Sequence, residues 1–158
     1  MIQEKLQNDI KESLRSGDAF RLSTLRMAQA ALHNKALEKR ASLVKAGGAP
    51  GDAVLNDEEA LAVIRGEAKH RKDAAVEYEK GSRRDLAEKE LKELEILKQY
   101  LPAEAGDAAI AAAVRETVAE VGKDPKQFGR IMGLAMKKLG SAASGDRVSA
   151  AVKKAIDG

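Results

Sequence analysis

The sequence predicts an all-α protein, with an N-terminal lobe of long helices and a small C-terminal three-helix subdomain. Through most of the 158 residues, apolar side chains recur every three or four positions, as on one face of an amphipathic helix. Glycine, proline and helix-capping residues separate these segments. The chain is 34% charged and only 3% aromatic. This composition is typical of a soluble helical protein with a core of Ala, Leu, Ile and Val.

The first 45 residues predict two helices. The first carries an apolar residue at every fourth position: Ile2, Leu6, Ile10 and Leu14. Gly17 ends it, and Asp18 begins a second helix from about residue 19 to residue 45. The predicted buried side of the second helix holds Leu22, Leu25, Ala28, Leu32 and Ala36. Its other side is basic, with Glu38 as the only acid among Arg21, Arg26, Lys35, Lys39, Arg40 and Lys45.

Residues 46–56 are rich in glycine and predict a flexible loop. A phosphate-binding loop is the alternative, but neither of the two glycine patterns that bind phosphates is present. We therefore interpret this stretch as a local insertion that links two helices.

The central stretch, residues 56–102, predicts two long helices joined by a sharp turn. Asn56 and Glu59 have the spacing of a capping box at the first helix. Gly81 is predicted to end this helix in the left-handed conformation, and Ser82 with Asp85 to form a second capping box. The predicted buried positions are Leu61, Ile64, Ala68, Ala75 and Tyr78 in the first helix, and Ala87, Leu91, Leu94, Leu97 and Leu101 in the second.

After Pro102 the pattern predicts three shorter helices. Asp107 is predicted to cap the first, which ends at Gly122, and Asp124 with Pro125 to start the second, which ends at Gly140. The apolar positions are Ile110, Val114, Val118, Val121, Phe128, Ile131, Met132, Ala135, Leu139, Val148, Val152 and Ile156. We expect two domains, an N-terminal helical lobe of residues 1–101 and a subdomain of residues 107–158.

The charge distribution favours an anionic partner at the chain ends. Lysine and arginine outnumber acids nine to five in residues 1–51 and eight to three in residues 123–158, whereas residues 52–122 hold eleven against seventeen. The absence of cysteine excludes disulfides and thiolate metal sites. No stretch has the length and apolar character of a membrane span or the pattern of a signal peptide. We expect a cytoplasmic protein that contacts no membrane.

The sequence offers no recognisable catalytic or metal constellation. Glu67 and His70 have the spacing of a di-iron ligand pair, but such sites need a second copy on a facing helix. The acids Glu88, Glu90, Glu93 and Glu95 are interpreted as a solvated helix face. We expect no metal, no cofactor and no catalytic activity from the isolated chain.

Two glycines within one predicted helix indicate a close approach to its backbone. Gly129 and Gly133 lie on the same face, and each costs about 1 kcal/mol of helix stability relative to alanine. Either a neighbouring helix or a nucleic-acid backbone would explain them. The predicted RNA-binding cations around them are Lys123, Lys126, Arg130, Lys137, Lys138, Arg147, Lys153 and Lys154.

Several short motifs together match the pattern of a known family. They are Arg71-Lys72-Asp73, Gly81, Arg84-Asp85-Leu86, Lys89-Glu90 and Tyr100-Leu101-Pro102, and further along Gly129-Arg130, Gly133 and Met136. By these residues the chain resembles the YqeY-like proteins of bacteria. That family is similar to the tail domain of the B subunit of the tRNA-dependent amidotransferase, a domain that helps to hold tRNA while other parts catalyse. The resemblance implies tRNA or another structured RNA as partner, and a protein partner in tRNA aminoacylation. Residues 140–145 lack two cations that the family commonly carries there.

Three functional hypotheses follow. The first is a small tRNA- or RNA-binding module that is non-catalytic alone. The second is a helical protein-interaction adaptor without RNA binding. The third, which the family label implies, is a carbon–nitrogen ligase with glutamine as amide donor, but the sequence shows neither a nucleophile nor a nucleotide site for it.

Overall fold

Seven α-helices account for the fold. The computed structural model describes the backbone of residues 1–158 and all side chains except those of residues 52 and 141. The helices are α1 (Ile2–Ser16), α2 (Ala19–Lys45), α3 (Asp57–Lys80), α4 (Arg84–Lys98), α5 (Asp107–Val121), α6 (Phe128–Leu139) and α7 (Gly145–Asp157). Short 3₁₀ turns cover Pro50–Asp52, Pro125–Gln127 and Gly140–Ala142. The described backbone contains no strand, and the all-α prediction is confirmed.

The chain divides into two compact units, Met1–Leu101 and Pro102–Gly158. In the first unit α3 and α4 form a hairpin, α2 packs on both of these helices, and α1 packs on α2 and α3. Their buried faces share one aliphatic core, which includes Leu6, Leu25, Leu32, Ile64, Leu94 and Leu97. Removing these side chains from water is the main source of stability for the unit.

The second unit is a three-helix arrangement in which α5, α6 and α7 each pack on the other two. Its core is separate and includes Ile110, Val114, Ile131, Ala135, Val148 and Val152. Gly122, with φ 97°, ends α5, and Asp124 accepts a hydrogen bond from the Lys126 backbone N–H at 2.9 Å where the next turn begins. Asp107 is the first residue of α5 rather than its cap, which is Gly106.

The helix boundaries of the first unit follow local signals. Gly17 ends α1 with φ 74°, and Asp18 caps α2 by accepting from the Arg21 backbone N–H at 2.9 Å. Asn56 and Glu59 form the predicted capping box, because each side chain accepts a hydrogen bond from the other's backbone N–H at 2.8 Å. In each of these caps the donor and the acceptor are three residues apart in the chain, so the start of the helix is determined locally and does not need tertiary packing.

The turn between α3 and α4 differs from its prediction. Gly81 has φ −80°, and the left-handed residue is Ser82, with φ 56°. The Arg83 backbone N–H donates to the Tyr78 carbonyl at 2.8 Å and the Ser82 N–H donates to the Glu79 carbonyl at 3.0 Å, the two bonds of a Schellman motif. In this position the Ser82 side chain does not cap α4, and the predicted second capping box is wrong.

Two predicted core positions face solvent. Leu14 is 60% exposed and Leu91 is 41% exposed. A strict four-residue repeat advances about 40° around the helix at each step, so the fourth apolar residue of α1 rotates away from the core and Ser13 is buried instead. Leu91 is displaced because α4 turns two acidic residues toward α3.

The Schellman turn generates a prediction for stability. A left-handed conformation strains any residue that carries a Cβ, so Ser82→Gly is expected to raise the free energy of unfolding by about 0.5–1 kcal/mol in urea denaturation. Gly81→Ala is the control, because a Cβ there would meet only the Glu77 and Tyr78 carbonyl oxygens at 3.5 and 3.6 Å, at ordinary contact distance. A loss of stability in Ser82→Gly would mean that the serine side chain has a role the geometry does not show.

Candidate nucleic-acid interface and structural ion pairs

The glycine face of α6 is open. A Cβ built on Gly129 or on Gly133 would meet no atom within 4 Å outside its own helical turn, and both residues are exposed. No neighbouring helix therefore occupies this face among the side chains that the structure describes. Of the two explanations for the glycines, packing within the subdomain does not apply at either position.

Three exposed cations accompany the glycines. Arg130 precedes Gly133 by three residues on α6 and Lys137 follows it by four, so both cations share a face with this glycine. Lys126 lies in the turn just before the helix. None of the three side chains makes an ion pair with any side chain that the structure describes. They are available to an external anion.

Lys138 is committed to a contact within the unit. Its Nζ lies 2.7 Å from Glu120 Oε1 and 3.4 Å from Glu116 Oε2, both on α5. The hydrogen bond to Glu120 is the main reason why the pKa of Lys138 is raised, and Glu116 adds to the effect. This lysine joins α6 to α5 and its charge is already compensated.

Arg147 is committed in the same way. Its guanidinium lies 2.6 Å from Asp107 Oδ1 and 3.3 Å from Glu104 Oε2, at the start of α5. The sequence hypothesis counted Lys138 and Arg147 among the RNA-binding cations because it weighed only the acids within residues 123–154. The compensating acids come from residues 104–120, and the four-residue spacing of Glu116 and Glu120 was the available signal.

The other predicted binding residues, Lys123, Lys153 and Lys154, are exposed at the ends of α5 and α7. The whole second unit is only mildly basic, with nine lysine and arginine residues against seven acids. Its capacity to attract an anion therefore depends on where its charges lie. The open cations near the glycine face form the basic surface that we define by Lys126, Gly129, Arg130, Gly133 and Lys137.

The first unit contains a partly buried ion cluster that sequence reasoning missed. Arg71 of α3 lies with its Nε 3.1 Å from Glu93 Oε2 and its Nη1 3.5 Å from Glu90 Oε2, both on α4. Glu67 of α3 completes the cluster, with its Oε2 3.7 Å from Arg71 Nη2. Glu93 is only 3% exposed, so the interpretation of the α4 acids as one solvated face is wrong for Glu90 and Glu93.

The pairing within this cluster is electrostatic rather than ideally hydrogen-bonded. Arg71 Nε and Glu93 Oε2 are close enough for an ion pair, but the N–H is not aligned for a hydrogen bond. Lys89 adds a second positive charge 3.9 Å from the other oxygen of Glu93. Glu67 thus has a charged partner within its own helix, and His70 is exposed. No group of residues able to hold a metal occurs among the described side chains.

A second polar cluster lies where α4 ends. The Tyr100 hydroxyl donates a hydrogen bond to Asp9 of α1, and Arg21 of α2 approaches the same carboxylate at 3.5 Å. Arg21 also donates to Gln99 Oε1 at 2.9 Å, and Lys5 lies 4.9 Å above the Tyr100 ring. Burial, followed by the hydrogen bond to Asp9, raises the pKa of Tyr100 well above its ordinary value. This cluster connects three helices.

The arrangement defines a class of protein, a helical two-unit protein with a basic surface and structural ion pairs. Its sequence matches the family model described as Yqey-like protein over residues 3–156, so the chain belongs to that family. It is also similar to the altered inheritance of mitochondria protein 41, mitochondrial, of Pyrenophora tritici-repentis (strain Pt-1C-BFP). The two are 24% identical over 156 residues, which cover 96% of this chain and 79% of the relative. None of the described helices is long and apolar enough to cross a membrane. The cytoplasmic location stays a prediction.

The ion cluster generates a second prediction. Removing one partner of a buried ion pair leaves an uncompensated charge and typically costs about 3–5 kcal/mol. Because Arg71 is partly exposed, we expect Arg71→Met to lower the free energy of unfolding by about 2–4 kcal/mol in chemical denaturation.

Two further variants test the cause of this loss. Arg71→Met combined with Glu93→Leu is expected to recover part of the stability, because the almost fully buried carboxylate is removed together with its partner, while Glu90 keeps some contact with water. Glu88→Gln, at an exposed position of the same helix, is expected to change stability by less than about 0.5 kcal/mol. Equal losses in the single and the double variant would show that Arg71 acts through packing alone.

Proposed function

We propose that this protein is a small RNA-binding module that holds tRNA or another structured RNA through the basic surface of its second unit. The observation that carries the proposal is the open glycine face of α6, where Gly129 and Gly133 have no packing partner in the described structure and unpaired cations lie beside them. Each glycine lowers the stability of the helix, and no packing contact at these two positions offsets this loss. A ligand backbone close to the helix would explain the cost.

The chemistry of the surface favours the sugar–phosphate backbone of RNA. Arg130 and Lys137 are about 10 Å apart along the helix axis, given a rise of about 1.5 Å per residue, so they can contact separate phosphates. Aromatic side chains are what stack on unpaired bases, and the one aromatic residue of this unit, Phe128, packs against its core. Recognition would therefore rest on phosphate positions and RNA shape.

The family supports the proposal through sequence. The Gly129-Arg130 pair, Gly133 and Met136 are the positions that resemble the tail domain of the amidotransferase B subunit, and three of these four residues lie on or beside the open face. By this resemblance the partner would be tRNA, together with a protein of tRNA aminoacylation. The proposal gives the isolated chain no chemical step of its own.

The binding test uses salt dependence. If the three cations of the basic surface contact phosphates, the logarithm of the tRNA affinity should fall with the logarithm of salt concentration at a slope of about −2 to −3. Arg130→Ala combined with Lys137→Ala should weaken binding and reduce the slope by about 1.5–2, because two counterion-releasing contacts are lost. Filter binding of a purified tRNA at four salt concentrations measures both quantities.

The matched control removes the same charge elsewhere. Lys72→Ala combined with Lys92→Ala, on exposed positions of α3 and α4, should leave the slope unchanged, as should His70→Ala. An equal loss of tRNA affinity in both double variants would show that the effect comes from the net charge of the protein and not from the surface of α6. A double variant of α6 that binds like the parent at every salt concentration would show that the basic surface is only solvated.

The glycines provide a test that separates stability from binding. Gly133→Ala adds a methyl group that meets no atom within 4 Å, so it should raise the free energy of unfolding by about 0.5–1 kcal/mol. The same methyl group would obstruct an RNA backbone and should weaken tRNA binding about fivefold, equivalent to about 1 kcal/mol.

Gly66→Ala is the matched control, because Gly66 lies inside α3 and a Cβ there also meets no atom within 4 Å. It should give a similar gain in stability and no change in RNA affinity. Unchanged RNA affinity in Gly133→Ala would remove the glycine face from the proposed interface.

A further inference from the structure

The outer side of α2, in the first unit, carries a second ordered surface. Six exposed residues recur at seven-residue intervals in two series, which places them on one stripe of the helix. We call them the α2 stripe: Arg26, Ala30, His33, Leu37, Arg40 and Val44. Leu37 is 48% exposed and Val44 is 51% exposed. A rise of about 1.5 Å per residue makes the stripe about 27 Å long.

The two arginines of the stripe differ from most other cations of α2, because three of the four others are paired. Arg21, Lys35 and Lys39 are paired, with Asp9, Glu38 and Glu59 respectively. Neither Arg26 nor Arg40 makes an ion pair with any side chain that the structure describes. The stripe itself contains no acid. Along the stripe, the apolar residues Ala30, Leu37 and Val44 therefore alternate with Arg26, His33 and Arg40.

This pattern selects one kind of occupant. The stripe contains no acid, so no alignment of two copies along it can pair Arg26 or Arg40 with a carboxylate of the other stripe, and an antiparallel copy centred on His33 would set the two arginines against each other. The exposed aliphatic side chains of Leu37 and Val44 offer RNA neither a charge nor a stacking surface. A protein helix can satisfy both series, with apolar side chains against the aliphatic positions and carboxylates against the arginines.

We propose that the α2 stripe docks an acidic amphipathic helix of a partner protein. Apolar residues of the partner at seven-residue spacing pack against Ala30, Leu37 and Val44, and its Asp or Glu residues pair with Arg26 and Arg40. Because the two arginines are 14 positions apart, about 21 Å along the axis, the partner helix must extend over at least four turns. This surface is separate from the basic surface of α6.

The test uses two synthetic helical peptides of four heptads, labelled with a fluorophore. The acidic peptide has Leu at one heptad position and Glu at the positions that would face the arginines, and the second peptide has Lys in place of these Glu residues. By fluorescence anisotropy at low salt, the full-length protein is expected to bind the acidic peptide with saturation and at least tenfold more tightly than the lysine peptide.

Charge reversal makes the test specific. Arg26→Glu combined with Arg40→Glu should lower the affinity for the acidic peptide at least tenfold and raise the affinity for the lysine peptide. The double variant should then prefer the lysine peptide. Leu37→Ser combined with Val44→Ser should weaken both peptides. Lys72→Glu combined with Lys92→Glu, the same charge change on exposed positions of α3 and α4, should alter the affinity less than twofold. Circular dichroism melting checks that every variant folds.

Four results would overturn the proposal. These are no saturable binding of the acidic peptide up to about 1 mM, equal binding by the parent and the charge-reversed variant, a parent dimer in sedimentation that this variant abolishes, and loss of tRNA binding in the same variant. The third result would assign the stripe to a second copy and the fourth to RNA. Unchanged tRNA binding keeps the docking proposal independent of the function proposed for α6.

Discussion

The first unit depends on the burial of a single carboxylate. Glu93 is almost fully removed from water, so α4 must lie against α3 with this side chain beside Arg71. An unpaired carboxylate in that position would cost several kcal/mol. Together with the buried Leu94 and Leu97, this constraint sets the rotation of α4 about its axis, which leaves Leu91 facing outward. It also positions α2, since the Met27 sulfur contacts the Arg71 guanidinium at 3.6 Å.

The cations of the molecule fall into two groups, those that are paired with an acid of the same chain and those that can pair with an external ligand. In the first unit the contact between Arg21 and Asp9 belongs to the cluster that connects α1 and α2 to the residues after α4. In the second, Lys138 connects α6 to α5 and Arg147 connects α7 to the start of α5. A cation that is already held by an acid gains less from an external phosphate or carboxylate, because the existing pair must first separate. The unpaired cations of α6 and of the α2 stripe are the ones to which the two proposals assign a role.

These unpaired cations occur in two different chemical settings. On α6 they accompany glycines, which leave room for a ligand backbone and add no apolar surface. On α2 they alternate with exposed aliphatic side chains, which favour a protein helix. An RNA contact and a protein contact on separate surfaces would suit a protein that brings the two kinds of partner together. The second hypothesis from sequence, an adaptor, excludes RNA binding, so only its protein-interaction part is compatible with the first.

The sequence determined the features that depend on neighbouring residues. It predicted α2 over residues 19–45, the capping box of Asn56 and the glycine stop at residue 17, because the groups that satisfy each helix end lie within a few positions of it. The candidate surface on α6 was also visible, since Gly129 and Gly133 break the helix preference locally. The division into two independent domains stays a prediction.

Only the tertiary structure decided which charges pair across helices. The burial of Glu93, and the loss of Lys138 and Arg147 from the available cations, depend on partners 18 to 43 residues away in the chain. Which charges pair depends on how each helix is rotated about its axis. The apolar pattern in the sequence indicates this rotation only approximately, because the pattern drifts by a small angle at each repeat. Ser82 shows the same limit locally, because two hydrogen bonds that close the turn placed the left-handed residue one position beyond the glycine.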